Sequence, residues 1–394
     1  MSWQLVELSE VAAPRGMVGG PFGSSLVSKD YRESGIPVIR GVNMSSGKFI
    51  SGDFVYVTPL KADSDLSRNQ ASPGDIVFTQ RGTLGQVALV PEVPFDRYVV
   101  SQSQMRLTVN PEFADTEFVY YACKSPEFLK QVNDNAISTG VPHINLGILG
   151  RLRIPLPPVS QQRAVAQVLG ALDDKIAVNR KLSRKVDELS FSCYLAMVED
   201  AMSIPLSSAA QFVNGKPFTK GASGTGRVVI RIAELNSGIG PSTVRSDIEV
   251  DDRYIAQPGD ILFAWSGSLT LHRWFRGEAI VNQHIFKVIP HQEYPAWLVY
   301  QMIAHKMPYF KDIAADKATT MGHIQRKHLD EPVPVPSPEK IQEHDELMTA
   351  LWGRALLAEQ ESEKLEALRD ALLPHLMSGE LRVRDAEGLV SESV

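Results

Sequence analysis

The chain has 394 residues, 43% apolar and 22% charged, with a formal net charge of −6, and a chain of that length exceeds one compact core, so two or more domains are expected. Two cysteines, Cys123 and Cys193, exclude a disulfide framework and an all-thiolate zinc site and point to a reducing compartment. Met1-Ser-Trp-Gln-Leu lacks a signal-peptide pattern, and no window reaches the roughly 18 apolar residues of a membrane helix, so a cytoplasmic protein is expected.

The first elements are short strands, Val38–Arg40, Ile76–Thr79, Val87–Val90 and Met105–Val109, rich in β-branched residues and bounded by turn chemistry such as Pro73-Gly-Asp. A helix is predicted at about 116–131. Pro155-Leu-Pro-Pro ends this stretch, and Ser160 is a candidate N-cap for a long helix reaching about Asp200 without a proline. Its apolar stripe is Leu169, Leu172 and Ile176, then Leu182, Val186, Leu189 and Cys193. Asn179 interrupts the stripe. It is either a buried polar residue that fixes register or, the commoner case, a neighbour of the seam. Strands return at Val228–Ile232, Ile261–Trp265 and Ile285–Ile289, and a helix at about 295–311. A second long helix starts at Pro338 and runs to about Leu373. Ile341, His344, Met348 and Leu351 begin its stripe, and Leu365, Leu368 and Leu372 continue it.

The chain repeats itself. Pro73-Gly-Asp-Ile-Val-Phe-Thr-Gln-Arg-Gly-Thr-Leu returns as Pro258-Gly-Asp-Ile-Leu-Phe-Ala-Trp-Ser-Gly-Ser-Leu, and Val38-Ile-Arg as Val229-Ile-Arg. Ser101-Gln-Ser-Gln returns loosely as Val281-Asn-Gln-His, and Phe118-Val-Tyr-Tyr as Leu298-Val-Tyr-Gln. His143-Ile-Asn matches His323-Ile-Gln, and Ile154-Pro-Leu-Pro matches Val333-Pro-Val-Pro. The order is the same in both halves, so a domain is duplicated. The expected division is a module at 1–158, a helix at 159–202, a second module at 203–336, a helix at 337–380 and a tail at 381–394. Each helix of about 40 residues is roughly 60 Å long, and its single stripe needs a partner helix. The expected class is α+β: two β-rich mixed modules separated by an antiparallel two-helix coiled coil.

Residues 1–158 carry 14 basic and 15 acidic groups, 159–202 carry 6 and 6, 203–336 carry 14 and 12, and 337–394 carry 6 and 13. The acidity sits in the last segment, so charge permits nucleic-acid binding by either module without arguing for it. Enzyme signatures are missing. There is no phosphate-binding Gly-x-x-x-x-Gly-Lys loop, since Gly19-Gly-Pro-Phe-Gly lacks the lysine and reads as a tight turn. No Asp/Asn-Pro-Pro-Tyr/Phe motif and no Gly-x-Ser-x-Gly elbow occurs, and His143, His272, His284 and His323 lack metal-ligand spacing.

Gly19-Gly-Pro-Phe-Gly-Ser-Ser followed by Gly35-Ile-Pro-Val-Ile-Arg-Gly resembles the opening of a target recognition domain in the specificity subunits of type I restriction-modification systems. Pro73-Gly-Asp-Ile-Val and Pro258-Gly-Asp-Ile-Leu resemble that domain's central hallmark. Pro155-Leu-Pro-Pro-Val-Ser-Gln-Gln-Arg with Leu169-Gly-Ala-Leu-Asp-Asp-Lys-Ile resembles the family's central helix, and Leu372-Leu-Pro-His-Leu-Met-Ser-Gly-Glu-Leu-Arg its C-terminal close. The second linker, Val333-Pro-Val-Pro-Ser-Pro-Glu-Lys-Ile-Gln, departs from its central counterpart. The resemblance implies a non-catalytic subunit that reads a split double-stranded DNA target through base edges. The paired helices would space the readers and, with nearby surfaces, bind two methyltransferase subunits, which flip and methylate an adenine. Motor-nuclease subunits would join for cleavage. S-adenosylmethionine, ATP and magnesium would belong to those partners, leaving this chain without a cofactor, a metal or a membrane.

The loop after each Pro-Gly-Asp strand is the expected reader: Gln80, Arg81 and Thr83 in the first module, and Trp265, Ser266, Ser268 and Thr270, with His272 and Arg273 beyond, in the second. Gln and Arg suit adenine and guanine edges, and the two loops differ although their scaffolds match. Arg40 and Arg231 recur, as phosphate contacts or as ion pairs. His143 with Asn145, and Thr319, Thr320 and His323, precede the long helices and contact either DNA or the helix ends. Leu169, Leu172, Ile176, Leu182, Val186, Leu189, Met348, Leu351, Leu365, Leu368 and Leu372 are expected to carry helix pairing and partner binding. A standalone DNA-binding regulator and an enzyme of unfamiliar site are the rival readings.

Overall fold

The structure, a computed structural model, describes residues 3–44, 47–138, 140–315 and 322–393. It divides into two units, residues 1–177 with 364–394, and residues 178–363. Each unit holds one module and part of both long helices.

In the first unit one sheet orders the strands Ala12–Gly19, Gln104–Val109, Ile76–Thr79 and Val87–Leu89, all antiparallel. A second orders Val55–Val57, Ile36–Ile39, Tyr98–Val100 and Gln70–Ala71, with its inner pair parallel. The second unit repeats both orders. One sheet has Ala210–Asn214, Ile285–Pro290, Ile261–Ala264 and Thr270–Arg273; the other has Arg245–Ser246, Arg227–Ile230, Ala279–Val281 and Ile255–Ala256. A short ladder closes each module, Leu5–Glu7 on Arg153–Pro155 and Ser203–Pro205 on Pro332–Pro334. The duplication read from motifs is a duplication of topology.

The Pro-Gly-Asp strands explain their own sequence. Ile76, Val77, Phe78 and Thr79 are all buried. Ile76 and Phe78 face a core shared with helices, while Val77 faces a second core with Ile39 and Val100. Ile261 and Phe263, against Leu262 and Ala264, divide the same way. A strand covered on both faces has no polar alternation. The tripeptide itself is turn chemistry. Gly74 and Gly259 take φ of +84° and +95°, and the Asp75 and Asp260 carboxylates accept the backbone N–H of Ser72 and Gln257 at 2.7 and 2.8 Å.

The helix predicted at 116–131 is two helices, Thr116–Lys124 and Pro126–Asp134. Pro126 has no N–H to continue the first, and the Ser125 hydroxyl caps the second by accepting from Phe128 at 3.2 Å. The second module instead runs one helix over Ala296–Ala315, with Pro308 inside it.

The long helices are Val159–Met197 and Pro338–Ser378. In the first unit Leu169, Leu172 and Ile176 share a core with Leu365 and Leu372, with Leu368 partly buried beside it. In the second unit the helices run antiparallel, since Asn179 Nδ2 donates to Glu361 at 2.8 Å and the Ser183 hydroxyl to Glu359 at 2.9 Å. The buried seam there differs from the leucine stripe. It passes through Asn179, Ser183, Val186, Ser190, Tyr194 and Met197 on one helix and Met348, Ala355, Ala358 and Ser362 on the other. Asn179 lies in the seam, not beside it. Leu182 and Leu189 sit one position off; Leu182 is half-buried and Leu189 is 51% exposed. Leu351 is half-buried as well. A period count favours the larger side chain, but small polar residues satisfied by Glu359 and Glu361 pack as closely. The partner-binding assignment is corrected accordingly. Leu169, Leu172, Ile176, Val186, Met348, Leu365 and Leu372 are buried within their own units and offer no surface to another protein.

Candidate nucleic-acid interface

In each module one set of backbone bonds ties the strand ends together. In the first, Gly20 N–H donates to Gln104 O at 2.9 Å, Ser101 N–H to Ile39 O at 3.0 Å, Gln80 N–H to Ser103 O at 2.7 Å and Ile144 N–H to Gln80 O at 3.0 Å. In the second, Gly215 donates to Ile285 O at 3.0 Å, Asn282 to Ile230 O at 3.1 Å, Trp265 to His284 O at 3.1 Å and Ile324 to Trp265 O at 3.1 Å. Gly20 and Gly215 are required by close approach: a Cβ on either would lie 2.1 Å from the backbone oxygen of Ser101 or Asn282. The glycine-rich opening therefore serves backbone packing.

This frame presents the predicted loops. Arg81 and Thr83 are exposed and Gln80 is half-buried. Arg81 bridges to His143 as Ser266 bridges to His323, and Gly82 and Gly267 both have positive φ, +99° and +68°. Ser268 is exposed and Ser266 half-buried. Trp265 Nε1 donates to Asn214 Oδ1 at 2.8 Å, and its ring centroid is 5.2 Å from that of His284 and 6.4 Å from that of His323. One scaffold thus carries a flexible cation in one module and a braced aromatic in the other.

Thr270, His272 and Arg273 lie on the return strand Thr270–Arg273, and their assignment as readers is corrected. The Arg273 side chain is 1% exposed. Its guanidinium binds Glu359 at 3.1 and 3.0 Å and Asp187 at 3.3 Å, and lies 4.5 Å from the centre of the Trp352 ring. Thr270 Oγ1 and His272 Nε2 are buried with no hydrogen-bond partner among the described residues. Burial, and then the Arg276 guanidinium, pull the His272 pKa down to about 4. An unfolded histidine titrates near 6.5, so the unfolded chain binds the proton first between those values, and stability is lost as pH falls from about 6.5 to 4. His272→Ala, which installs the residue that Ala88 provides in the first module, should flatten the fall of the melting temperature over that range; an unchanged slope would remove His272 from the account.

Arg231 forms an ion pair, with Nε 3.0 Å and Nη2 2.6 Å from the Glu234 carboxylate. Among the described residues, the Arg40 side chain reaches a backbone oxygen, Asp53 O at 3.5 Å, and no carboxylate. Asn145 is a helix cap, accepting from Ile148 N–H at 2.9 Å, and the ring Nδ1 of His143 lies 3.2 Å from Val141 O. Thr319 and Thr320 lie outside the described residues. Sequence reading missed Asn214, which orients Trp265, and His284, which packs on it with φ of +73°. The loose match of Ser101-Gln-Ser-Gln to Val281-Asn-Gln-His sets His284 against Gln104, one residue out of the observed register, in which His284 takes the place of Ser103 and Ile285 that of Gln104.

Among the described residues, no group of three or more His, Cys, Asp and Glu is placed to hold a metal ion, and no helix is long and apolar enough to cross a membrane. A groove of about 1010 Å³ in the second unit is lined by residues such as Met197, Tyr294, Pro336 and Lys340, none of them at these strand ends.

Two copies of one β-rich scaffold with unlike loop chemistry on a common frame define a protein built by internal duplication. The sequence model described as the type I restriction modification DNA specificity domain matches residues 2–188 and again 204–367, and the chain belongs to that family. Among relatives, it is 24% identical over 190 residues to the type I restriction enzyme MjaVIII specificity subunit of Methanocaldococcus jannaschii, covering 47% of this chain and 43% of that one. It is 20% identical over 439 residues to the MjaIX specificity subunit of the same organism, covering 97% and 94%. The matched part spans less than half of the MjaVIII protein and of the putative MjaX specificity subunit, 43% and 40%. Its fold is similar to the crystal structure of a type I restriction-modification S subunit from M. genitalium, with a TM-score of 0.53, 18% identity and 96% of both chains covered.

Proposed function

We propose that this chain is the DNA-reading specificity subunit of a type I restriction-modification complex, without catalytic activity of its own. The observation that carries this reading is the pairing of an identical hydrogen-bonded frame with different loops, Gln80-Arg81-Gly82-Thr83 against Trp265-Ser266-Gly267-Ser268. A duplicated frame that carries unlike side chains in its exposed loops suits two readers of unlike half-sites. Arg81, with Gln80 and Thr83, reads one half of a split duplex target; Trp265, Ser266 and Ser268 read the other. The long helices set the distance between half-sites. Two methyltransferase subunits, and motor-nuclease subunits for cleavage, supply the chemistry in the cytoplasm, and S-adenosylmethionine, ATP and magnesium are bound by them. Leu189, Val178, Leu347 and Leu357, apolar and more than half exposed on the helices, are the residues offered to those partners.

The test is methylome sequencing of a host with and without the gene. A split adenine-methylated motif that depends on the gene is expected; none would overturn the reading, and specific binding without any methyltransferase would favour a standalone regulator. Exchanging residues 203–336 for another family member's module should change one half of the motif, and Arg81→Ala should weaken the other half-site by about 1–3 kcal/mol.

A further inference from the structure

Arg40 and Arg231 stand at equivalent points. Each follows an inner strand, Ile36–Ile39 or Arg227–Ile230, and each donates its backbone N–H to the side chain three residues on, Asn43 Oδ1 at 3.0 Å and Glu234 Oε2 at 2.9 Å. The fold asks only for an acceptor there, and the two modules satisfy it with different charge. Glu234, its side chain 2% exposed, also grips the guanidinium of Arg231 and accepts from Thr243 at 3.1 Å. Asn43 is neutral, and its Nδ2 is engaged by Ser51 O and Asp53 O at 3.2 and 3.1 Å. Among the described residues no carboxylate lies within ion-pair distance of Arg40, and its Nε is buried with no hydrogen-bond partner.

The next position sharpens the difference. Gly41 stands where the second module has Ile232. A Cβ on Gly41 would sit 3.6 Å from Gln104 Nε2, a buried amide nitrogen that also lacks a partner. The second module has Ile285 in place of Gln104, with Ile232 packed on an apolar core. The first module therefore keeps a cation and an amide donor unsatisfied beside its reading frame, where the second has an internal ion pair and hydrocarbon. The acceptor oxygen nearby, Gln86 Oε1, also 3.6 Å from that Cβ, already takes the Thr79 hydroxyl at 2.9 Å; the groups left over are donors, one of them charged, and they suit an anionic acceptor.

We propose that Arg40 binds a backbone phosphate of the DNA lying on the first module, and that Glu234 has silenced the equivalent arginine of the second, so the two modules hold their half-sites with unequal electrostatics. This rests on the DNA-reading function above. Each phosphate neutralised contributes about 0.9 to the slope of log affinity against log salt.

The experiment measures that slope for the complex assembled with its methyltransferase subunits on its methylated duplex. Arg40→Gln should make the slope shallower by about 0.9, and Arg231→Gln should leave it in place. An unchanged slope for Arg40→Gln, or an equal drop for Arg231→Gln, overturns the proposal. Thermal melting monitors folding. Should Arg40→Gln fail to fold, Asn43→Glu, which keeps Arg40 and supplies the missing carboxylate, is expected to produce the same drop, and no drop overturns the proposal. In duplexes carrying one uncharged methylphosphonate, a position in the first half-site should weaken the wild type and not Arg40→Gln. A wild-type complex that neither binds nor methylates a split duplex overturns the function itself; a wild type that does both, with slopes insensitive to Arg40, overturns this inference alone.

Discussion

Replacing Arg273 with alanine should destabilise the second unit by about 3–5 kcal/mol, as removal of one partner from a buried ion network does. The guanidinium is reached by Glu359 from the distal helix and Asp187 from the central helix, and stacks near Trp352. Arg273 itself lies on a strand of the module. Its loss leaves two carboxylates side by side without their counter-charge and removes the contact with the Trp352 ring. Urea unfolding should show the loss, and amide exchange should place it in Thr270–Arg273 and the adjoining helices. A loss below about 1 kcal/mol would mean that the network is solvated like a surface pair. The contrast with Arg81→Ala is diagnostic: one arginine should change folding with the DNA preference intact, the other the reverse.

The second large effect is expected at Arg369→Ala, again about 3–5 kcal/mol. Arg369 Nη1 donates to Asp173 Oδ1 at 2.6 Å, and Asp173 Oδ2 accepts from the Tyr121 hydroxyl at 2.7 Å. The Asp173 side chain is 5% exposed, so it would remain buried as an uncompensated charge. Burial, and then the Asp173 carboxylate, push the Tyr121 hydroxyl pKa up, so the phenol stays protonated and donates. Tyr121→Phe should cost less, about 1–2 kcal/mol, because the ion pair survives. Exchange protection lost in Thr116–Lys124 and at Asp173 would locate the effect in the first unit; equal costs for the two variants would refute the ranking.

These two networks were not legible in the sequence. Arg273 follows a reading loop closely and carries a charge that suits DNA, so sequence proximity drew it into the reader. The return strand turns it inward, and only the pairing of Ile261 with Arg273 reveals this. Arg40 and Arg231 look alike as Val-Ile-Arg repeats, and a residue three positions on decides what each can do. The leucine stripes failed for a related reason. Leu189 is apolar at an acceptable spacing, yet the neighbouring Ser190 is the buried one, because which face is covered depends on the helix packed against it and not on the period alone.

By itself the sequence determined the duplication, the strand Ile76–Thr79 to the residue, the Pro-Gly-Asp turns, the two long helices and the loops that separate one module from the other. These are local: turn chemistry, side-chain period and repetition act within a few residues. Tertiary structure alone decided which arginines gain a carboxylate partner, which helix face is buried and which glycines a backbone oxygen approaches. Each of those depends on what a distant segment brings against the side chain, and charge or size at one position does not encode its partner.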